Sequence, residues 1–475
     1  MPSVRHLMLQ VTTRLACVAA LGLASLRSDS AHAGAFYIPE RGARALSLGG
    51  AFVAGCDDLN CQWMNPAGLI RIAAPIAFYL DVGVIIADQH FQRMDDAEVM
   101  RKDPVYANGF PDTEDIGGAF PDPSLGVASN FGLEDWVFAL GLYGPYAGSN
   151  EWPEDGPQRY SLVSLKALEL FIQASVAWRP VKQLSVGFGF QWVVTQLKQR
   201  VNISGYTGVF GWAEQRDLDA FAEVSVTDVF TPGATFGVLW TPVPGFDVGV
   251  SGQLPVHVEA DGNVKVNTPT NFYFSGSSVK GDQISLEVDF PPILRLGLRV
   301  YDEDLWSIEL ASVVEFWSVH DKIKATPRDV TFEDVPGVGT FTVKPFDVIA
   351  NSRDVVSVRL GGWWRPANGI FKVRAGGFFE TGAAPDETLS VLKIDGEKFG
   401  VGVGGTVELG PFDVDLAFGY VRMFERTVTN TRNAQVNAAY LNDPQPYGDN
   451  GPSYVSNGTY GSQTFILAAT LAGSF

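Results

Sequence analysis

The feature that most constrains this chain is an alternation of apolar residues that recurs along most of its length. In each such stretch every second residue is apolar over about ten residues, the length of a tilted strand that crosses a membrane. We call each of the two sets of alternate residues a parity. Successive side chains of a strand point to opposite sides, so a period of two residues predicts a β-strand with one apolar face. The first stretch shows the pattern with Ile76, Phe78, Leu80, Val82, Val84 and Ile86.

The other parity of these stretches carries residues that a wet interior tolerates. Arg295, Gly297 and Arg299 alternate with leucines, and Glu309 and Glu315 lie on the polar parity of the next stretch. A two-sheet sandwich also alternates, but its strands are shorter and its polar parity faces bulk water. Unbroken apolar faces of this length therefore favour a transmembrane barrel.

The composition agrees with this fold class and excludes others. Charged residues make up 18% of the 475-residue chain, against about 25% in ordinary globular proteins. Outside the N-terminus no apolar run approaches about 18 residues, which excludes helical membrane spans. The formal net charge of −19 repels phosphate backbones, so we expect no nucleic-acid partner.

The N-terminus has the features of an export signal. Arg5 and Arg14 precede an apolar stretch that ends at Leu26, and Ala31-His32-Ala33 has the form of a cleavage site. Residues 1–33 are therefore predicted to be a secretory signal peptide that is removed before Gly34. A short buried helix is the alternative.

Two cysteines, Cys56 and Cys61, remain after this cleavage and are separated by four residues. Export places them in an oxidising compartment, where close cysteines pair. Two thiols without a nearby histidine make a poor zinc site. The spacing predicts a structural disulfide and no metal.

The connections between the alternating stretches are of two kinds. Very short turns, such as 180–183 and 410–411, alternate with long polar segments at 93–120, 202–230, 261–282, 326–350 and 426–460. This asymmetry is typical of outer-membrane barrels, which have short periplasmic turns and long external loops. Fourteen strands are predicted, an even number that lets an antiparallel barrel close without free edges. They start near residues 75, 123, 136, 162, 184, 234, 246, 284, 305, 353, 370, 398, 412 and 462.

The C-terminus alternates from Phe465 up to a terminal aromatic residue, Phe475. A last strand of this form matches the C-terminal signal of bacterial outer-membrane barrels. It predicts export to the Gram-negative outer membrane and contact of Phe475 with the barrel-assembly machinery. Membrane lipid and lipopolysaccharide are then the expected surroundings, and a monomer is the expected state.

The segment before the first strand lacks alternation and carries two short motifs. Gly34-Ala35-Phe36 follows the predicted cleavage site, and Asn65-Pro66-Ala67 comes about thirty residues later. Both closely resemble the N-terminal plug of the FadL/TodX family, outer-membrane transporters of hydrophobic compounds. The resemblance implies an all-β, fourteen-stranded barrel at 73–475 with a plug, or hatch, at 34–72 in its lumen. Asn65, Pro66 and Ala67 would fix the plug to the wall, although an Asn-Pro pair is also common in surface turns.

The same resemblance implies a route for the ligand. Tyr143-Gly144 matches the family's kinked strand, and Pro145 follows directly. Glycine permits non-strand backbone angles and proline donates no hydrogen bond to the sheet, so strand pairing should lapse here. A hydrophobic molecule would leave sideways through this gap. The alternative is an ordinary turn at a strand end.

Two kinds of residue are predicted to contact the ligand. They are aromatic residues of the plug, by resemblance to the family, and cations on the lumenal face of the strands. Phe36 is expected either at the ligand pocket or as an anchor, and Trp63 either lines the pocket or packs the plug. Four cations on the lumenal parity could hold a carboxylate head group, unless they pair with wall acids such as Glu309, Glu315 and Glu380. These cations are Arg295, Arg299, Arg359 and Arg374.

The predicted function is passive uptake of hydrophobic small molecules, such as long-chain fatty acids or related lipids. Uptake of aromatic hydrocarbons by the same route and a non-transporting structural or receptor barrel are the alternatives. No nucleotide cofactor is expected, because Gly400 to Gly405 fits a nucleotide-binding pattern only inside an alternating strand, where no helix follows. No enzyme is expected, because His90, His257 and His320 are isolated in sequence and no GxSxG element is present.

Overall fold

The computed structural model describes residues 41–72, 74–208, 210–366, 369–437, 441–442 and 453–475. The predicted signal peptide and Phe36 lie outside these residues. Three α-helices are described, α1 (Gly42–Ser47), α2 (Cys61–Met64) and α3 (Ala97–Lys102). Five 3₁₀ helices accompany them at Pro66–Arg71, Pro104–Tyr106, Arg216–Leu218, Phe272–Phe274 and Trp317–Val319.

Strands dominate the described residues. In chain order they are β1 (Ala77–Arg93), β2 (Asp112–Glu114), β3 (Ala119–Ser129), β4 (Trp136–Glu151), β5 (Ser164–Val181), β6 (Leu184–Ser204), β7 (Asp219–Val243), β8 (Phe246–Gln253), β9 (Val256–Asn267), β10 (Ser278–Lys280), β11 (Gln283–Phe290), β12 (Ile293–Asp302), β13 (Trp306–Glu315), β14 (Lys322–Arg328), β15 (Thr331–Val335), β16 (Gly339–Thr342), β17 (Phe346–Ile349), β18 (Val355–Trp364), β19 (Phe371–Glu380), β20 (Lys398–Leu409), β21 (Phe412–Met423), β22 (Arg426–Val428) and β23 (Gly458–Ser474).

These strands build one closed antiparallel barrel and one small sheet. Several wall strands consist of two collinear pieces: β2 with β3, β8 with β9, β11 with β12, β13 with β14, β17 with β18, and β21 with β22. Counted in this way the wall has fourteen strands, as predicted. The last strand closes on the first, from the Ala77–Ser474 pair to the Arg93–Gly458 pair. The small sheet comprises β10, β15 and β16.

The predicted long segments contain more strand than expected. The segment 202–230 was expected to be a loop, but β6 extends to Ser204 and β7 already begins at Asp219. The two strands stay hydrogen-bonded out to the Ser204–Asp219 pair. The predicted start near residue 234 is therefore wrong, because pairing continues after the alternation of apolar residues has ended.

The outer face of the wall is apolar, as the alternation predicts. Leu80, Val82, Leu140, Leu296 and Leu471 are all exposed on the outside of the barrel. Aspartates and arginines of the opposite parity are buried, including Asp81, Asp415 and Arg295. Because burial alternates with exposure along each strand, the wall separates an apolar exterior from a polar interior.

No helix among the described residues is long and apolar enough to cross a membrane.

Residues 41–72 lie inside the barrel and are buried almost throughout. We call this stretch the interior segment. Its helix α1 contacts β1, β19, β20, β21 and β23, whereas its 3₁₀ helix contacts β4, β5, β6 and β7. Contacts to strands around the whole circumference place the segment in the lumen.

A glycine on the inner wall makes room for this segment and gives a test of its position. A Cβ atom at Gly402 would lie 1.9 Å from the carbonyl oxygen of Leu46, so only glycine fits without displacement. We expect Gly402→Ala to lower the free energy of unfolding by about 1–3 kcal/mol, measured by urea titration of tryptophan fluorescence. Gly148→Ala is the control, since nothing lies within 4 Å of a Cβ there. Equal stability of the two variants would contradict this placement.

Candidate functional site

Ion pairs bind the interior segment to opposite sides of the wall. On one side, Arg44 of α1 pairs with Asp413 at 2.6 Å and with Asp415 at 3.1 Å, both on β21. On the other side, Arg71 pairs with Asp247 of β8 at 2.5 Å. Buried pairs of this kind are costly to break, because one charge would remain without its partner.

A carboxylate of the wall also binds the backbone of the segment. Oε1 of Glu309, on β13, accepts hydrogen bonds from the N–H groups of Val53 (2.6 Å) and Ala54 (2.8 Å). Its Oε2 accepts one from Gly55 at 2.6 Å. Three charge-assisted bonds hold this turn against the wall. The alternation of polar and apolar residues correctly predicts that Glu309 faces the lumen. Its hydrogen-bond donors, however, are backbone N–H groups of the interior segment and not the expected arginine side chain.

The Asn65-Pro66-Ala67 motif lies against β6 and β7. The side-chain amide of Asn65 donates to the carbonyl oxygens of Val53 (2.9 Å) and Val238 (3.2 Å), and its oxygen accepts from Ala67 N–H. A Cβ at Gly237 would lie 2.1 Å from Asn65 Oδ1, so glycine lets the segment approach the wall. The motif thus joins two turns of the segment to the barrel.

Cys56 and Cys61 are joined by a disulfide, with their Cα atoms 5.6 Å apart. Both are fully buried in the interior segment. The bond closes the short stretch that leads into α2.

The four candidate arginines are all buried in the lumen but do not form one site. Arg299 pairs with Asp247 at 3.2 Å, Arg359 with Glu380 at 2.9 Å and Arg374 with Asp415 at 3.1 Å. Arg295 instead lies over the ring of Trp63, with its guanidinium carbon 5.1 Å from the ring centre. Wall acids therefore pair with Arg299, Arg359 and Arg374, as the alternative to a head-group site predicts.

Aromatic side chains cluster where the interior segment ends. Trp63 packs edge-on against Tyr143 (5.2 Å between ring centres) and Phe171 (5.9 Å). Beyond the kink, Tyr146 packs against Phe290 at 4.8 Å and against Trp317 at 6.4 Å. We call this group, with the apolar residues around it, the aromatic cluster. It brings the predicted residues Trp63 and Tyr143 together in an apolar environment suited to hydrophobic ligands.

The wall is interrupted beside this cluster. Strand β3 pairs with β4 only from Leu125–Leu142 to Ser129–Phe138. Its outer part, 119–124, remains paired with β1 but has no partner on β4. On the other side, β4 shifts its register against β5 between Tyr143 and Tyr146, at Gly144 and Pro145. We call this interruption the lateral gap.

The gap is closed again towards the outside and opens onto a small cavity inside. Ile116 N–H donates to the carbonyl oxygen of Glu151 at 2.6 Å, which rejoins the two edges. At the inner end of the gap lies a small cavity of about 10 Å³, room for about one water molecule. Its lining includes Gln62, Trp63, Ser124, Leu125, Leu142 and Tyr143.

One cation near the aromatic cluster was not anticipated. Lys393, in the loop between β19 and β20, donates to Ser352 Oγ at 2.7 Å and lies 5.1 Å from the Trp317 ring centre. Burial lowers the pKa of Lys393 to about 8, against the opposing effect of Asp395. It forms no direct ion pair with the described residues. The alternation could not reveal it, because loops carry no strand period.

Taken together, the fold defines a class: a closed membrane barrel with an occupied lumen, an apolar inner cluster and a break in its wall. The family model for outer membrane protein transport proteins (OMPP1/FadL/TodX) matches residues 24–454. The chain belongs to this family and is an outer-membrane protein of Gram-negative type. Comparison with curated proteins finds no match.

Solved structures share the fold at low sequence identity. A FadL homologue from Pseudomonas aeruginosa superposes with a TM-score of 0.74 at 14% identity, covering 93% of this chain and 100% of its own. The toluene transporter TodX from Pseudomonas putida gives 0.63 at 14%, covering 93% and 100%. The toluene transporter TbuX from Ralstonia pickettii gives 0.62 at 15%, covering 92% and 99%. At these identities the likeness establishes the barrel and not the cargo.

The hydrogen bonds from the interior segment to Glu309 can be tested by mutation. Glu309→Gln replaces one acceptor oxygen by an amide donor and so removes the charge-assisted bond from Gly55 N–H, worth about 1.5–3 kcal/mol. We expect channel openings in planar bilayers to become about ten- to a hundredfold more frequent. Glu303→Gln, in an exposed turn, is the matched control and should behave as the unchanged protein. An unaltered opening frequency in Glu309→Gln would exclude a holding role for this carboxylate.

Proposed function

We propose that the protein takes up hydrophobic small molecules passively and releases them sideways through the lateral gap. The observation that carries this proposal is the loss of β3–β4 pairing directly beside the aromatic cluster and its cavity. A continuous wall would force every solute out through the polar lumen. A break bordered by apolar side chains offers a path into the bilayer.

The energetics favour this route over a water-filled pore. Burying apolar surface yields about 25 cal/mol per Å², so an apolar solute gains little from an aqueous channel but much from the cluster. Lateral exit then transfers the solute from one apolar environment to another. No energy source is needed for such a gradient-driven path.

In this proposal residues 34–72 act as the hatch and 73–475 as the barrel. The ion pairs of Arg44 and Arg71 keep the hatch in place, and the Asn65-Pro66-Ala67 motif attaches it to β6 and β7. The disulfide restrains the hatch itself. Movement of part of this segment, with the anchors retained, would open the way from the cluster to the gap.

For the cargo we propose long-chain fatty acids or related lipids. Lys393 supports this class, because a half-buried ammonium without a direct ion pair among the described residues, next to Trp317, can hold a carboxylate. Aromatic hydrocarbons remain the second candidate, since the cluster itself is apolar and rich in rings. The protein would act without catalysis.

The proposed surroundings follow from the barrel. Its apolar outer face would contact outer-membrane lipid, and its acidic loops lipopolysaccharide. Phe475, which stacks on Phe78 with ring centres 6.3 Å apart, would be recognised by the assembly machinery before the barrel closes. We propose that the mature protein is a monomer.

Closing the gap tests the route. Gly144→Val with Pro145→Thr should restore strand pairing and reduce uptake of labelled fatty acid by whole cells to the level of cells that lack the protein. Gly148→Val, in the same strand with open space around it, is the matched control. Both variants should still show the heat-dependent gel mobility of a folded barrel. Normal uptake by a folded Gly144/Pro145 variant would refute lateral exit.

Titration of Lys393 tests the cargo class. The ammonium is charged below about pH 8 and neutral above it, so dodecanoate affinity should fall about five- to tenfold between pH 7 and pH 9. Lys393→Met should abolish this dependence, whereas Lys344→Met, at an exposed loop position, should retain it. If the affinity for dodecanoate changes neither with pH nor in Lys393→Met, aromatic hydrocarbons become the favoured cargo.

A further inference from the structure

A buried carboxyl group faces the interior next to the lateral gap. Glu169, on β5, is only 3% exposed. It shares its strand face with Phe171, which packs on Trp63, and with Gln173, whose amide donates to the carbonyl oxygen of Gln62 at 2.7 Å. Both neighbours contact the interior segment, so Glu169 also lies on the lumenal side of the wall.

Glu169 has no hydrogen bond or ion pair with the described residues, and its buried Oε2 is unsatisfied. Directly across the strand pair lies Thr195 of β6, whose Oγ1 is likewise buried without a partner. Further polar atoms with unused hydrogen-bonding capacity lie on the same inner face, in Gln191 and Gln253. Most buried polar groups in proteins have partners, so a group of unsatisfied ones marks a place where a ligand can bind.

The position of this pair relates it to the exit. Glu169 stands opposite Tyr146 in the β4–β5 register, immediately beyond the Gly144–Pro145 shift. Tyr146 in turn packs on Phe290 and Trp317 of the aromatic cluster. A molecule that moves from the cluster to the gap therefore passes this carboxyl group.

The chemistry of the pair selects among head groups. An ionised carboxylate buried without a cation is costly, whereas a carboxyl group that donates one hydrogen bond and accepts another is not. A hydroxyl or carbonyl group complements such a pair. A ligand carboxylate would place a second negative charge beside Glu169 in a medium of low polarity, where repulsion is strong.

We propose that Glu169 and Thr195 bind the uncharged, hydrogen-bonding head group of the cargo at the exit and exclude its carboxylate form. This inference rests on the proposed transport function and deepens it. Lys393, beside Trp317 of the aromatic cluster, would bind the carboxylate of a fatty acid, and the same molecule would take up a proton and pass the gap as the uncharged acid. An alcohol or a carbonyl compound would be uncharged throughout.

The test uses three probes of one chain length: dodecane, dodecanol and dodecanoate. Their affinities are measured with radiolabelled probe on the purified full-length barrel in amphipol. Glu169→Leu should weaken dodecanol about tenfold, the value of roughly one neutral hydrogen bond. It should leave dodecane unchanged and make dodecanoate no weaker. Thr195→Val, which keeps the shape, should weaken dodecanol alone.

Glu169→Gln is the matched control, because it keeps a donor and an acceptor and should retain dodecanol binding. Glu169→Leu could lower the affinity for dodecane as much as that for dodecanol, or it could change neither affinity. Either result would overturn the head-group role of Glu169 and leave the proposed transport function intact. If none of the three probes binds the unchanged, folded barrel, the proposed function itself fails. The two failures are thus distinguishable.

Discussion

Inside a bilayer there is no water to satisfy backbone N–H and C=O groups, and the structure depends on this constraint throughout. It requires the last strand to pair with the first along the full length of β1. A wall closed in this way can be interrupted only where few backbone groups are left without a partner. The edge of β3 meets this condition, since Pro121 and Pro123 have no N–H to leave unpaired. On the facing strand Pro145 plays the same part.

Closure in turn creates a lumen that must be filled or left wet, and here it is filled by the interior segment. The wall provides both the space and the attachments. Glycine positions such as Gly237 and Gly402 allow the segment to approach the wall closely, while Glu309 on β13 and Asp415 on β21 bind it. These polar attachments fix the segment to the wall, because breaking a buried ion pair leaves one charge without its partner.

The parts of the fold that lie in the membrane could be predicted from the sequence, because lipid demands an apolar residue at every second position. The outer ends of β6 and β7 could not, since both faces of a strand meet polar surroundings there and the period disappears. The candidate site likewise contains a part that could be predicted and a part that could not. Parity placed Arg295, Arg299, Arg359 and Arg374 in the lumen, yet their partners depend on neighbouring strands and on the segment. Lys393 lies in a loop without period. The unpaired edge of β3 also went unpredicted, although Pro121 and Pro123 are the kind of residue that marks such an edge.

Wall acids neutralise Arg299, Arg359 and Arg374, and this neutralisation limits which ligands the interior can accept. An anionic ligand that competed for Arg359 or Arg374 would have to displace Glu380 or Asp415 from a buried pair. That displacement leaves a buried carboxylate uncompensated, at a cost of several kcal/mol. The groups that remain for a ligand are therefore the ammonium of Lys393 beside the aromatic cluster and the Glu169–Thr195 pair at the gap. An amphiphile that binds the first and leaves past the second must lose its charge in between. Its last polar contact before the bilayer would then be a neutral hydrogen bond, which costs little to break as the chain slides into lipid.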